Sequence, residues 1–254
     1  MPSTLVFAHR GASSEAVENT REAFEKALAE PIDGIETDIQ LSRDETPVLW
    51  HDADMKKIGL PGRRIEEFAL TELKEMDFAG GFATARKDES ILGLAELLQD
   101  FGTKCRWLLE IKCFAKETVQ RQRIKVRRCL ELAAPFHGHS GAQAIRFSSF
   151  HLDRLIYAHH CSTVWPYIYN CETIRTAAEI HRLLDRHPFL AGLCLPIQIL
   201  KPELVEAVQG RGKILATYTC NADEEIGRAL DMGVDILISD DPSKALALRA
   251  ALAA

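Results

Sequence analysis

Thr4-Leu5-Val6-Phe7-Ala8-His9-Arg10-Gly11 is a short strand-forming run that ends, without a spacer, in an imidazole, a guanidinium and a glycine. In an open doubly wound sheet the turn after the first strand carries Gly-x-Gly-x-x-Gly, so that a pyrophosphate can approach the backbone at a helix N-terminus. His9-Arg10-Gly11 stands there instead. Reactive side chains at the carboxyl end of a strand are what a closed (β/α)8 barrel presents, because its active sites sit on that face. Working outward, β-branched or apolar runs recur at 4–8, 34–39, 106–111, 142–147, 163–168, 191–195, 213–218 and 235–238. Between them lie helical patterns at 20–30, 116–133, 152–159, 173–186, 202–209, 222–232 and 242–253, with Pro202 and Pro242 where a helix begins and a missing N–H costs nothing. Eight strands alternating with helices predict a (β/α)8 TIM barrel, and 254 residues suit one such domain spanning 1–254.

The stretch from 41 to 101 is too long for one crossover, and predicts an elaborated second βα connection. It holds an extended run at 46–51, a Gly/Pro/Arg loop at 59–64 and short helical runs at 71–76 and 94–101. Composition narrows the function classes. Lys plus Arg number 31 against 37 Asp plus Glu, a net charge of −6, the wrong sign for a surface that condenses onto nucleic acid. The longest nearly apolar run, 190–200, is well short of the roughly 20 residues that a spanning helix needs, so no membrane span is expected. The first residues carry no basic leader and seven scattered Cys form no C-x-x-C pair, which predicts reduced thiols and a cytoplasmic protein. The oligomeric state is left open.

If the barrel is right, chemistry collects at the strand ends. Glu36 and Asp38 are two apart on a strand, so both carboxylates point the same way. Glu110 and Lys112 repeat that spacing on the next barrel strand. Three carboxylates without a nearby Cys suit a hard cation such as Mg²⁺ or Ca²⁺, with Mn²⁺ also admitted; salt bridges to Arg or Lys are the alternative. His9 and His51 each follow an apolar extended run and adjoin a charged neighbour, a setting for proton transfer near neutral pH. Arg10 and Lys112 offer an anion a planar fork and a point charge. Thr20 reads as a helix N-cap.

In order, His9-Arg10-Gly11, Glu18-Asn19-Thr20, Glu36-x-Asp38, Asp44, His51-Asp52, Glu110-Ile111-Lys112, Ser149-Phe150, Gly233-Val234-Asp235 and Asp240-x-Pro242 resemble the motif series of the glycerophosphodiester phosphodiesterase family, across residues 9–242. The resemblance implies a TIM barrel that hydrolyses a small phosphodiester to glycerol 3-phosphate and an alcohol. It implies one divalent cation on Glu36, Asp38 and Glu110, His9 and His51 as the acid–base pair, and Arg10 and Lys112 on the phosphate. His9 is the expected base and His51 the acid. The attacking group is water or the glycerol 2-hydroxyl. Four departures stand out: Val17 for Pro, Glu45 for Gly, Ser239 for Thr, and Tyr218 for the Trp of the alcohol pocket's apolar wall. Two other readings of such a barrel are a lysophospholipase D-like hydrolase, for which Trp50 and the loop 80–85 are the apolar hints, and a catalytically silent phosphodiester-binding barrel.

Overall fold

The chain is described by a computed structural model covering residues 4–79, 89–138 and 145–253. Its strands are β1 (Leu5–His9), β2 (Gly34–Leu41), β3 (Pro47–Leu49), β4 (Arg106–Ile111), β5 (Ile145–Ser149), β6 (Tyr167–Asn170), β7 (Leu190–Pro196), β8 (Ile214–Tyr218) and β9 (Ile236–Ser239). All but β3 pair in parallel in the order β1-β9-β8-β7-β6-β5-β4-β2, and β2 returns to β1, closing an eight-stranded barrel. The helices are α1 (Arg21–Ala29), α2 (Leu70–Lys74), α3 (Leu94–Phe101), α4 (Val119–Ala133), α5 (Leu152–Cys161), α6 (Ala177–Arg186), α7 (Pro202–Gln209), α8 (Asp223–Asp231) and α9 (Pro242–Ala253). Among the described residues no helix is long and apolar enough to cross a membrane.

Alternation along the strands divides the apolar side chains into two layers. Phe7, Leu108, Ile168, Cys194, Ala216, Ile236 and Ile238 fill the barrel interior, while Val6, Ile35, Trp107, Phe147 and Leu237 belong to the larger core that also takes in helix residues such as Phe24, Val126 and Leu204. Gly34 is required by that interior: a Cβ there would lie 2.5 Å from the Phe7 ring. The predicted elaboration is present between β2 and β4. β2 runs past its parallel partners, and its last residues pair antiparallel with β3 (Ile39 with Leu49, Leu41 with Pro47). Glu45, at the turn between them, has a φ of 60°, which is the geometric reason a glycine suits that position. A satellite core of Val48, Trp50, Met55, Ile65, Leu73, Phe78 and Ile91 holds the excursion together.

Three predicted elements move. The run at 163–168 becomes β6 at Tyr167–Asn170, because Pro166 has no N–H to give a ladder and holds the chain out of it. The run at 142–147 becomes Ile145–Ser149, with 142–144 outside the described residues. The helix at 173–186 starts at Ala177, where Thr176 accepts from the Glu179 N–H and Glu179 reaches back to close a capping box. Thr20 is the N-cap of α1, as expected.

Candidate active site

Strand register builds the site. His9 is level with Glu36 across β1 and β2, Asp38 with Glu110 across β2 and β4, and Glu110 with Ser148 across β4 and β5. A slip of one residue would turn every one of these groups out of the barrel. In register, His9, Arg10, Glu36, His51, Glu110, Lys112 and Tyr218 all line one cavity of about 450 Å³, and Asp38 lies just beneath its floor. All eight residues singled out in the sequence are therefore brought together.

Single oxygens of Glu36, Asp38 and Glu110 lie within 4.8 Å of one another, and all three residues are buried. Their surroundings differ. Asp38 is ion-paired to Arg10 Nε at 3.0 Å and to Lys112 at 3.4 Å, and accepts from the Asn19 amide at 3.1 Å. Burial would raise its pKa, but Arg10 and Lys112 outweigh that and hold it below the carboxylate range. Glu110 accepts from Lys112 at 2.9 Å, yet burial pushes it up to about 7. Glu36 is the exposed nerve of the cluster: its buried Oε2 has no hydrogen-bond partner, and burial, reinforced by Asp38 and Glu110, drives its pKa well above the usual range. So the salt-bridge alternative describes Asp38, while Glu36 keeps a bare oxygen facing two other carboxylates. An all-oxygen, anionic, under-satisfied set of this kind fits a hard divalent cation.

Each histidine is held by a carboxylate. His9 Nδ1 lies 2.6 Å from Asp240 Oδ1, which also accepts from the Ser13 hydroxyl at 3.0 Å. His51 Nδ1 lies 2.7 Å from Asp52 Oδ1. A carboxylate accepts only, so Nδ1 carries the proton in both rings and Nε2 is left for substrate. His9 Nε2 is 3.8 Å from Glu36 Oε2, placing it at the rim of the acidic cluster. Burial pushes the His51 pKa below its ordinary value, with Asp38 acting against it. Gln40 on β2 donates to the main-chain oxygens of Trp50 and Asp52 and so clamps the segment that carries His51.

Sequence reasoning missed the supporting residues. Asn19 adopts φ 61°, turning its side chain to receive the Thr37 hydroxyl at 2.7 Å while donating to Asp38. Arg10, at φ 60°, is pinned between Asp38 and Glu18. Gly11, with φ 87°, could not be otherwise, since a Cβ there would meet Ala23 at 2.6 Å. Asn170 donates to Glu110 at 3.3 Å, and Lys57 ties Glu18 to Asp52. Lys125, fully buried on α4, binds Glu117 and the main-chain oxygen of Lys112. None of these carries a local signal except Asn19, which sits beside the N-cap. Asp44, which the motif series included, instead accepts from Ser42 and the Leu70 N–H and anchors the excursion. Trp50, an apolar hint for a lipid rim, is 5% exposed and packs edge-on against Phe78; the loop 80–85 lies outside the described residues.

Paired His–Asp groups, an acidic cluster and two cations converging on the carboxyl end of a parallel barrel define an enzyme that handles an anionic substrate by proton transfer. Residues 9–244 match the glycerophosphoryl diester phosphodiesterase family, and the chain belongs to it. It is 29% identical over 247 residues to a glycerophosphodiester phosphodiesterase of Caldanaerobacter subterraneus, covering 94% of this chain and 95% of that one. A phosphodiesterase of Oleispira antarctica, solved in complex with the product sn-glycerol-3-phosphate, is 26% identical with a TM-score of 0.81, covering 97% of this chain and 96% of that one. A fold neighbour from Silicibacter pomeroyi, described as a glycerophosphoryl diester phosphodiesterase, superposes with a TM-score of 0.85 at 21% identity, over 100% of this chain and 95% of that one. The protein is thus a phosphoric diester hydrolase, as its sequence motifs implied.

Proposed function

We propose that the chain, as one catalytic domain, hydrolyses small water-soluble glycerophosphodiesters to glycerol 3-phosphate and a free alcohol, with Glu36, Asp38 and Glu110 holding one divalent cation. The carrying observation is the bare, buried Glu36 Oε2 set among two other carboxylates in the cavity that both His–Asp pairs face. Mg²⁺ and Ca²⁺ suit the oxygen donors best, Mn²⁺ less so. When bound, the ion neutralises charge on the phosphoryl oxygens and lowers the barrier to attack on an anionic ester.

The chain's own residues do the rest. Arg10 and Lys112 sit beside the cluster and receive the phosphate's anionic oxygens. His9, its Nδ1–H held by Asp240, takes at Nε2 the proton of the attacking hydroxyl as the new P–O bond forms. His51, held by Asp52, gives its Nε2 proton to the alcohol oxygen as the old P–O bond breaks. Whether the hydroxyl belongs to water or to glycerol C2, its proton leaves to the same nitrogen. All the acid–base and carboxylate groups are present, which argues against a silent barrel.

Support for a soluble substrate comes from the excursion, whose large apolar side chains point into their own satellite core. The exposed large apolar residues among those described, Val119, Val164 and Leu252, lie on separate elements and form no patch. A reducing, cytoplasmic setting suits the seven free thiols, six of them buried. Steady-state rates on glycerophosphocholine and on micellar lysophosphatidylcholine test the reading: kcat/KM is expected to be higher for the deacylated diester, and the reverse order would assign the site to lysophospholipids.

A further inference from the structure

One wall of the catalytic cavity carries a carboxylate that the reaction leaves unused. Glu172 follows β6, is exposed, and lines the same cavity as His9, Arg10 and Lys112. Its Oε1 lies 3.4 Å from the Tyr218 hydroxyl, and no Lys, Arg or His among the described residues forms an ion pair with it. The nearby Arg175 instead spends its guanidinium on the main-chain oxygens of Glu172 and Ile174. Two rings link this carboxylate to the phosphate-binding end. Lys112 Nζ lies 5.6 Å from the Phe150 ring centre, and Phe150 meets Tyr218 edge to face at 5.9 Å. Burial raises the Tyr218 pKa, so the phenol stays protonated and can donate to Glu172.

An unpaired carboxylate is out of place in a cavity that admits anions. It repels a diester whose alcohol end is neutral or negative, and attracts one whose alcohol end is positive. Aromatic rings beside a carboxylate are also the surroundings in which an ammonium group is held. We propose that Glu172, with Tyr218 and Phe150, forms a subsite for a cationic alcohol, so that the preferred substrates are zwitterionic diesters whose leaving alcohol carries an ammonium group. This rests on the hydrolytic reading above and adds to it the charge class of the leaving group.

Competition between two diesters in one vessel tests it. Equimolar glycerophosphocholine and glycerophosphoglycerol share the glycerol phosphate and differ in the charge of the alcohol, and the ratio of their initial rates is the ratio of kcat/KM whatever fraction of the enzyme is folded. Glu172→Gln keeps the shape and removes the charge. It is expected to lower the choline-to-glycerol ratio by roughly tenfold, the size of a partly screened charge contact. An unchanged ratio overturns the subsite, including the case in which both rates fall together, which would assign Glu172 to the glycerol common to both substrates. If the unmodified enzyme consumed neither diester, the hydrolytic reading would fall and the subsite with it.

Discussion

Replacing Asp240 by Asn should inactivate the enzyme through His9 without loosening the fold. Asn221 Oδ1 accepts from the Asp240 N–H at 3.0 Å, which fixes its Nδ2 as the donor to Asp240 Oδ2 at 2.5 Å. An asparagine at 240 must therefore turn its own oxygen toward Asn221, and its NH2 takes the place of Oδ1, facing His9 Nδ1 and Ser13. That NH2 donates, so Nδ1 becomes an acceptor and the ring proton moves to Nε2, the nitrogen at the rim of the acidic cluster. A base with its working nitrogen already protonated cannot take the proton of the attacking hydroxyl. The loss expected in kcat is about 10²–10⁴-fold, the worth of a positioned base, or roughly 3–5 kcal/mol of barrier. Because neither Asp240 nor Nδ1 meets the phosphate in this mechanism, KM should shift little, and the retained bond to Asn221 should keep Tm near that of the parent. Stopped assays of alcohol release from glycerophosphocholine, with matched melting curves, measure all three. A variant within about threefold of the parent in kcat would refute the tautomer argument and the role given to His9.

Further expectations follow from the same contacts. Glu36→Gln removes the least satisfied of three buried charges, so the metal-free variant should melt above the metal-free parent. The parent should gain about 2.7 kcal/mol at a cation concentration 100 times Kd, or roughly 5–10 °C in Tm for a chain this size, and the variant should gain little; scanning fluorimetry with and without chelator decides. Lys125→Met strands Glu117 and frees the Lys112 main-chain oxygen, which should cost about 3–5 kcal/mol in denaturant titrations and raise KM through a displaced Lys112. Acid stability has a defined window. Against the upward push of burial, the bond to His9 holds Asp240 down at about 2, below its value in the unfolded chain, so its contribution is fully present above about pH 4 and is lost as the pH falls through about 2. The stability difference between parent and Asp240→Asn should shrink across that window in pH-dependent urea unfolding.

Period-two spacing and strand-end position were enough to find the metal cluster and both histidines, because each signal lies within a few residues of one strand. What supports them was not legible. Asp240 reaches His9 across 231 positions of sequence, Asn221 meets Asp240 only because β8 and β9 are neighbours in the barrel, and Asn170 meets Glu110 across β5. Such contacts follow from closure, which no local pattern encodes. The left-handed backbone at Arg10 and Asn19 was equally hidden, since neither is a glycine; tertiary bonds at Asp38 and Glu18 hold them there. Trp50 misled in the opposite sense: an indole after an extended run reads as a rim residue until the satellite core beneath it is seen. Pro166 displaced β6 by several residues for a reason visible in the sequence, a missing donor.

The central claim is that this barrel breaks a phosphodiester with two carboxylate-held histidines over an acidic cluster that needs a divalent cation. Phosphorus NMR of purified protein with glycerophosphocholine tests it most directly, first with excess chelator and then with Mg²⁺ or Ca²⁺ restored. The account predicts an unchanged diester resonance under chelation and a growing glycerol 3-phosphate resonance on restoration, absent in His51→Ala. Undiminished turnover under exhaustive chelation, or release of phosphocholine in place of glycerol 3-phosphate, would contradict it.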